Sequence, residues 1–234
     1  MAAARSEPRL ILLRHAQGML GTDDYDRLSP LGRSQAVRLG ERMGDELDQC
    51  WPAWSGALRR QRQTLAALSA PGLVIIDPCL NEYRVDRMVA HALAQSETLG
   101  LAPPPPQALA DPAGFLQAFL VWFPEVIDRW QRAELDDPCN GPWQMFQQRV
   151  LLPAAGWQAR VRRGESVVVV TSAGVISTLV AALAGRDLAW QRRLNVSLYN
   201  ASVTELALDD QGAWRLGRVN CVDHLDGDGM RTLA

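Results

Sequence analysis

Four consecutive valines, Val167 to Val170, stand between Ser166 and Thr171, and no other stretch of the chain constrains the fold as strongly. Adjacent residues of a strand point to opposite sides, so an unbroken β-branched run fits a strand buried on both faces. Thr171-Ser172-Ala173-Gly174 follows, then an apolar segment at residues 175–184 that stops at Gly185. This reads as a buried strand handing over to a helix, with glycine as the terminator. Strands covered on both faces belong to parallel sheets flanked by helices, and ligands of such sheets sit at the strand carboxyl ends. The side chains at this handover, Ser172 and Ala173, are not obvious catalysts.

Further strands are expected at residues 10–13 (LILL), 51–55 and 73–76. The alternation in SVTELAL and AWRLGRVN predicts a hairpin around residues 209–212. Ser29-Pro30 reads as the N-cap and first residue of a helix. Residues 58–69 read as an arginine-bearing helix, and 143–162 as one helix kinked at Pro153. From about 83 to 142 the pattern loosens into a helical excursion, read as a lid insertion with a stiff connection at the prolines 103–106. Trp122, Trp130 and Trp143 are read as its core rather than as a platform for substrate. The expected architecture is α/β: a three-layer sandwich, a mostly parallel central sheet with helices on both faces, and a single domain over 1–234.

Composition narrows the chemistry. All 24 basic side chains other than histidine are arginine, so no lysine amine takes part in a reaction. The net charge of −2 gives no reason to expect a nucleic-acid or membrane partner. Cys50, Cys79, Cys139 and Cys221 lack the spacing of a zinc site or a disulfide framework and are read as buried thiols in a reducing compartment. The apolar run ending at Arg14-His15 is too short for a membrane span or a signal peptide, and the protein is read as cytoplasmic.

Arg14-His15 at a strand end is, taken alone, most simply a capped turn. Arg59, Arg60 and Arg62 and the carboxylate of Glu82 change that reading. A neutral imidazole attacks phosphorus, guanidinium forks hold phosphate oxygens, and a carboxylic acid protonates the leaving oxygen.

At this point LILLRHA resembles the opening motif of the histidine phosphatase superfamily, which includes the cofactor-dependent phosphoglycerate mutases. LSPLGRSQA, residues 28–36, is similar to the family block Leu-(Ser/Thr)-x-x-Gly-x-x-Gln-Ala. SGALRRQRQTL is similar to Ser-x-Leu-x-Arg-Ala-x-Gln-Thr, and alignment on Gln63-Thr64 puts the second phosphate arginine at Arg60. LNE resembles the block that carries the proton donor, here Glu82. The ending from Asn220 to Leu225 resembles the family's Asn-x-x-x-His-Leu.

The resemblance implies a metal-independent phosphomonoesterase without a cofactor, acting on a small phosphorylated molecule and able to bind a phosphate or sulfate ion. His15 is then the nucleophile, Glu82 the general acid and later base, and Arg14 and Arg60 the phosphate clamp. Ser172, Ala173 and Gln17 are further expected phosphate contacts, and Gly21 and Thr22 candidates for backbone contacts. One block departs: the family's Thr-His-Gly-Gly-Val-Ile-Arg is TSAGVIS here, so a second catalytic histidine is matched by Ser172 and the final arginine by Ser177. Two outcomes follow, a phosphatase of reduced activity or a pseudo-phosphatase that binds a phosphorylated ligand or partner. His224 is read as structural and His91 as an exposed helix residue. A serine hydrolase built on Ser172 lacks the leading glycine of Gly-x-Ser-x-Gly. Mutase activity finds no sugar-acid motif in the excursion.

Overall fold

Neighbouring residues of the first strand feed two different cores. Leu10 and Leu12 pack into one apolar cluster, Ile11 and Leu13 into the other. The valine strand divides the same way, Val167 and Val169 against Val168 and Val170. All eight side chains are at most 1% exposed, so each contributes about 1.5–3 kcal/mol through burial. Leu12→Ala, which leaves a cavity in a sealed layer, costs about 2–5 kcal/mol.

The computed structural model describes residues 7–19, 24–47, 50–68, 72–105 and 112–233. In chain order these form β1 (Arg9–Arg14), α1 (Pro30–Leu47), β2 (Cys50–Ser55), α2 (Arg59–Ala67), β3 (Val74–Ile76) and a 3₁₀ turn (Pro78–Leu80). Helices α3 (Val85–Ala94), α4 (Ser96–Leu99), α5 (Pro112–Gln131), α6 (Trp143–Leu151) and α7 (Ala154–Arg162) follow. The chain ends with β4 (Ser166–Thr171), α8 (Ala173–Leu183), α9 (Leu188–Ser197), β5 (Val203–Leu208) and β6 (Trp214–Leu216). The sheet order is β3-β2-β4-β1-β5-β6. The pairs β1/β4, β2/β4 and β2/β3 are parallel, while β5 runs antiparallel to both β1 and β6.

Helices cover both faces. Ala36, Leu39 and Met43 of α1 and Leu65 of α2 pack into one cluster, and side chains of α3 and α5 to α9 into the other. Because α1 leaves β1 toward one face and α8 leaves β4 toward the opposite face, the adjacent carboxyl ends of β1 and β4 open a crevice between them. The register sets Arg14 beside Thr171 across that crevice.

The helices of the excursion add to the core. Trp122, Trp130 and Trp143 are buried beside Met88, Ala92, Phe123 and Ile127. Trp130 meets Tyr83 and Trp143 edge-on, with centroids 5.2 and 5.0 Å apart.

Three expectations change. The helix expected at 143–162 is two helices, α6 and α7, because Pro153 has no N–H to continue the ladder and its ring clashes with the preceding turn. The free thiols of Cys79 and Cys221 are only half-buried and that of Cys139 is exposed, so they are not core thiols. Helix α9 has no counterpart among the expected elements; Asp187 caps it, its carboxylate accepting from Trp190 N at 2.7 Å. Gly21, Thr22, Asp23, Ser69 and Pro106 lie outside the described residues. Among the described residues no helix is long and apolar enough to cross a membrane.

Candidate active site

His15 is the first residue after β1 and is 3% exposed. Its backbone is tied on both sides: His15 N donates to Thr171 O at 2.8 Å, and His15 O accepts from Ala201 N at 3.3 Å. Asn200 Nδ2 adds a longer contact to the same carbonyl at 3.5 Å. The ring Nδ1 lies 2.8 Å from Ala16 O. A carbonyl only accepts, so Nδ1 carries the hydrogen and Nε2 keeps its lone pair. Arg60 Nε donates to that Nε2 at 3.0 Å. Burial first, then the charges of Arg60 and Arg14, holds the imidazole well below its usual pKa.

Arg60 belongs to α2 and is set by a carboxylate that no motif singles out. Asp26 accepts from Arg59 N at 2.9 Å and from Arg60 Nη1 at 2.8 Å, so one carboxylate caps the helix and steers the guanidinium. The Arg60 guanidinium also lies 5.0 Å from the centre of the Tyr25 ring. Arg14 Nη1 donates to Leu198 O at the end of α9. Arg14 Nε is buried and, among the described residues, has no hydrogen-bond partner.

Glu82 follows the 3₁₀ turn. Its Oε2 accepts from Gly174 N at 2.7 Å and its Oε1 from Tyr83 N at 3.2 Å. A Cβ on Gly174 would sit 2.3 Å from Glu82 Oε1, so glycine is what lets the carboxylate approach the helix amide. Burial pushes Glu82 above the usual carboxyl range, against the amides and both arginines that favour the anion. The segment bearing it is stapled from several sides. Arg149 donates to Pro78 O, Cys79 O and Asn81 O at 3.1, 2.7 and 2.9 Å. Thr171 Oγ1 donates to Leu80 O at 2.6 Å. Tyr83 is held by the aromatic core and by Asn195, whose Nδ2 donates to its hydroxyl at 2.8 Å.

Ser172 is the N-cap residue of α8 and Ala173 the first residue of the helix; both are buried. Ser172 Oγ accepts from Gln61 Nε2 at 2.9 Å. The position of the final family arginine, Ser177, is part of a buried polar cluster: Gln191 Nε2 donates to Ser177 Oγ at 2.8 Å, and Gln131 Nε2 to Gln191 Oε1 at 2.9 Å.

Arg14, His15, Arg60, Glu82, Ser172 and Ala173 thus gather at the carboxyl ends of β1 and β4. Gln17 is half-buried, and its carboxamide oxygen accepts from Ser29 Oγ at 2.8 Å. His224 lies under the loop that holds His15, with Nε2 3.0 Å from Ala201 O. His91 turns toward Asp137, 3.9 Å away, rather than toward His15. Asp26, Gln61, Arg149 and Asn200 carried no sequence signal of their own; each acts through contacts with segments distant in the chain.

Paired arginines, a buried neutral histidine and a carboxyl group on adjacent strand ends define a phosphoryl-transfer class of α/β protein. The model of the histidine phosphatase superfamily (branch 1) matches residues 10–101 and 120–222, most of the chain, and the chain belongs to that superfamily. Among solved structures it is similar to mycobacterial hydrolase 2, at 25% identity and a TM-score of 0.63 over 95% of this chain and 94% of that one. A mycobacterial glucosyl-3-phosphoglycerate phosphatase matches at 23% identity and a TM-score of 0.60, covering 92% and 99% of the two chains. A variant phosphoserine phosphatase of Entamoeba histolytica in complex with phosphoserine matches at 17% and 0.60, covering 93% and 99%. No curated protein sequence matches the chain.

Proposed function

We propose that the protein is a metal-independent phosphomonoesterase that works through a phosphohistidine on His15, with turnover limited by serine at position 172. The observation that carries this reading is the state of the imidazole. Nδ1 is committed to Ala16 O, burial and two guanidiniums keep the ring neutral, and Nε2 is a free base facing Arg60.

A phosphomonoester then displaces His15 Nε2 as the acceptor for Arg60, and its oxygens take the unpartnered Nε of Arg14. Nε2 attacks phosphorus in line, the N–P bond forms, and the ester P–O bond breaks. Glu82, held toward its protonated form by burial, gives its proton to the leaving oxygen. Water next attacks the phosphohistidine; Glu82 accepts its proton, the N–P bond breaks, and inorganic phosphate leaves. The arginines supply the positive charge that a metal supplies in other phosphoryl transfers. A small phosphorylated substrate is in keeping with the relatives solved as phosphatases of a glucosyl-3-phosphoglycerate and of phosphoserine. The buried site does not suit a nucleic acid, and the cytoplasm is the compartment proposed.

The test is hydrolysis of an aryl phosphate by wild type and His15→Ala, each preincubated with a chelator. Wild-type turnover equal to the His15→Ala background would refute the enzymatic reading.

A second reading has its own observation. The Gly174 amide is bonded to Glu82, and Ser172 Oγ already accepts from Gln61, so two groups on this wall are engaged within the protein. A pseudo-phosphatase that binds a phosphorylated ligand without turnover predicts saturable binding of a phosphate ester and no phosphohistidine on acid-quenched protein.

A further inference from the structure

We infer that Gln61 is a positioning residue for Ser172, and that Gly56, Gln61 and Ser172 form one unit that replaces an imidazole on this wall of the pocket. The inference rests on the reading of His15 as nucleophile.

Ser172 occupies the place where serine usually bonds the second or third amide of its own helix. Its backbone is suitably extended, at φ −116° and ψ 167°, yet it makes no capping bond. The second amide, Gly174 N, goes to Glu82 instead. The Ser172 hydroxyl turns to Gln61, a side chain with no solvent exposure. Both ends of that carboxamide are specified. Its nitrogen donates to Ser172 Oγ and to Leu80 O, at 2.9 and 3.2 Å, and its oxygen accepts from Leu58 N at 3.2 Å. A flipped amide would set oxygen against the Leu80 carbonyl and nitrogen against the Leu58 N–H, so the orientation is fixed. The Ser172 oxygen is therefore an acceptor toward Gln61, and its single hydrogen is left to donate elsewhere.

The space for Gln61 is made by a third position. A Cβ on Gly56 would lie 2.0 Å from Gln61 Oε1, 2.7 Å from its Cδ and 2.8 Å from Leu80 O, so another residue at 56 displaces the carboxamide and presses on the carbonyl it donates to. Aligned on Gln63-Thr64, the motif Ser-x-Leu-x-Arg-Ala-x-Gln-Thr puts its serine on Gly56 and its alanine on Gln61. Side-chain volume is lost at 56 and 172 and gained at 61, as in a core that conserves its filling while exchanging its members. The larger Gln61 fills the space beside Ser172 that an imidazole at 172 needs. Gln61 cannot itself contact substrate while both ends are engaged. Its part is to aim the Ser172 hydrogen at the phosphoryl oxygens beside His15.

The experiment uses the full chain, 4-nitrophenyl phosphate for turnover, orthovanadate for binding and thermal denaturation for stability. Gln61→Met keeps the bulk and removes the hydrogen bonds; Ser172→Ala removes the hydroxyl. Each is expected to lower kcat about tenfold with KM within about twofold, and the double variant to fall no further than either alone. Ser172→His alone is expected to lower Tm without raising kcat. Adding Gln61→Ala to it is expected to restore Tm and to raise kcat at least about tenfold above Ser172→His.

Multiplying losses in the Met/Ala cycle, or a Ser172→His variant as active as its double, overturns the inference. Failure of the underlying reading is recognised separately, by a wild type no faster than His15→Ala. In that case Tm and vanadate affinity of Ser172→His with and without Gln61→Ala still decide: coupling supports the unit, and independence overturns it.

Discussion

The two sides of the candidate site stand on adjacent parallel strands and differ in chemistry. At the end of β1 the wall is ionic, with His15 between Arg14 and Arg60 and Asp26 steering the second guanidinium. At the end of β4 it is neutral, with a serine hydroxyl, a glutamine carboxamide and a helix amide already bonded to Glu82. Charge is delivered by residues whose side chains reach in from α2 and β1. The neutral wall contributes shape and fixed dipoles, which cost nothing to desolvate as charges but stabilise a developing phosphoryl charge less. On the proposed mechanism, a site whose anion-binding power is concentrated on one side should be sensitive to damage there and tolerant on the other.

The largest expected effect is on the ionic wall. His15→Ala should remove at least about a thousandfold in kcat, read as aryl phosphate cleavage down to background. Arg60→Ala should cost about 10²–10³ in kcat/KM. It should also move the acid limb of the pH profile upward: burial and then the Arg60 charge hold His15 below 6.5, so without that charge the ring stays protonated to higher pH. An unmoved limb would break the assignment of that limb to His15. Glu82→Gln should cost about 10²–10⁴ for an alkyl phosphate and much less for an activated aryl phosphate, because only the poorer leaving group needs its proton. Smaller still, Arg149→Ala should lower kcat about tenfold by loosening the segment before Glu82, with about 1–3 kcal/mol of stability lost in denaturant titration.

The pH optimum sharpens the same contrast. The proposed mechanism needs His15 free and Glu82 protonated at once. His15 is depressed from 6.5 and Glu82 raised from 4.5, so both shifts favour the pH range in which the two states coexist. Turnover of an alkyl phosphate that shows no alkaline limb would show that Glu82 is not the group that protonates the leaving oxygen.

Much of this was legible in the sequence, and the reasons are specific. LILL and VVVV announce themselves because strands buried on both faces leave no polar interruption. Arg14, His15, Arg60 and Glu82 could be proposed from the sequence because each lies at or near the end of a recognisable element and belongs to a motif. Helix α9 was not, because its inward face mixes Leu194 with amides: Gln191 and Asn195 are also buried and bond to Ser177 and Tyr83. Amides set among its inward-facing apolar residues break the stripe that a periodicity search detects. Gln61 was invisible for a related reason. It sits among arginines on α2, and only the chain folded over it turns it inward onto Ser172, 111 residues away. Asp26 lies in a loop of charged residues where any carboxylate reads as solvated.

The contact between Arg60 Nε and His15 Nε2 has a consequence for selectivity. With His15 as the proposed nucleophile, an empty site in which it already holds a hydrogen bond is a site at rest, its lone pair masked from stray electrophiles. Entry of a substrate is an exchange in which a guanidinium hydrogen passes from nitrogen to oxygen. Its free energy is the difference between two bonded states. A dianion with three acceptor oxygens wins that exchange; a neutral ester or an aldehyde, offering one weak acceptor, leaves the imidazole covered. Discrimination against the wrong electrophile thus precedes any contact with the rest of the substrate.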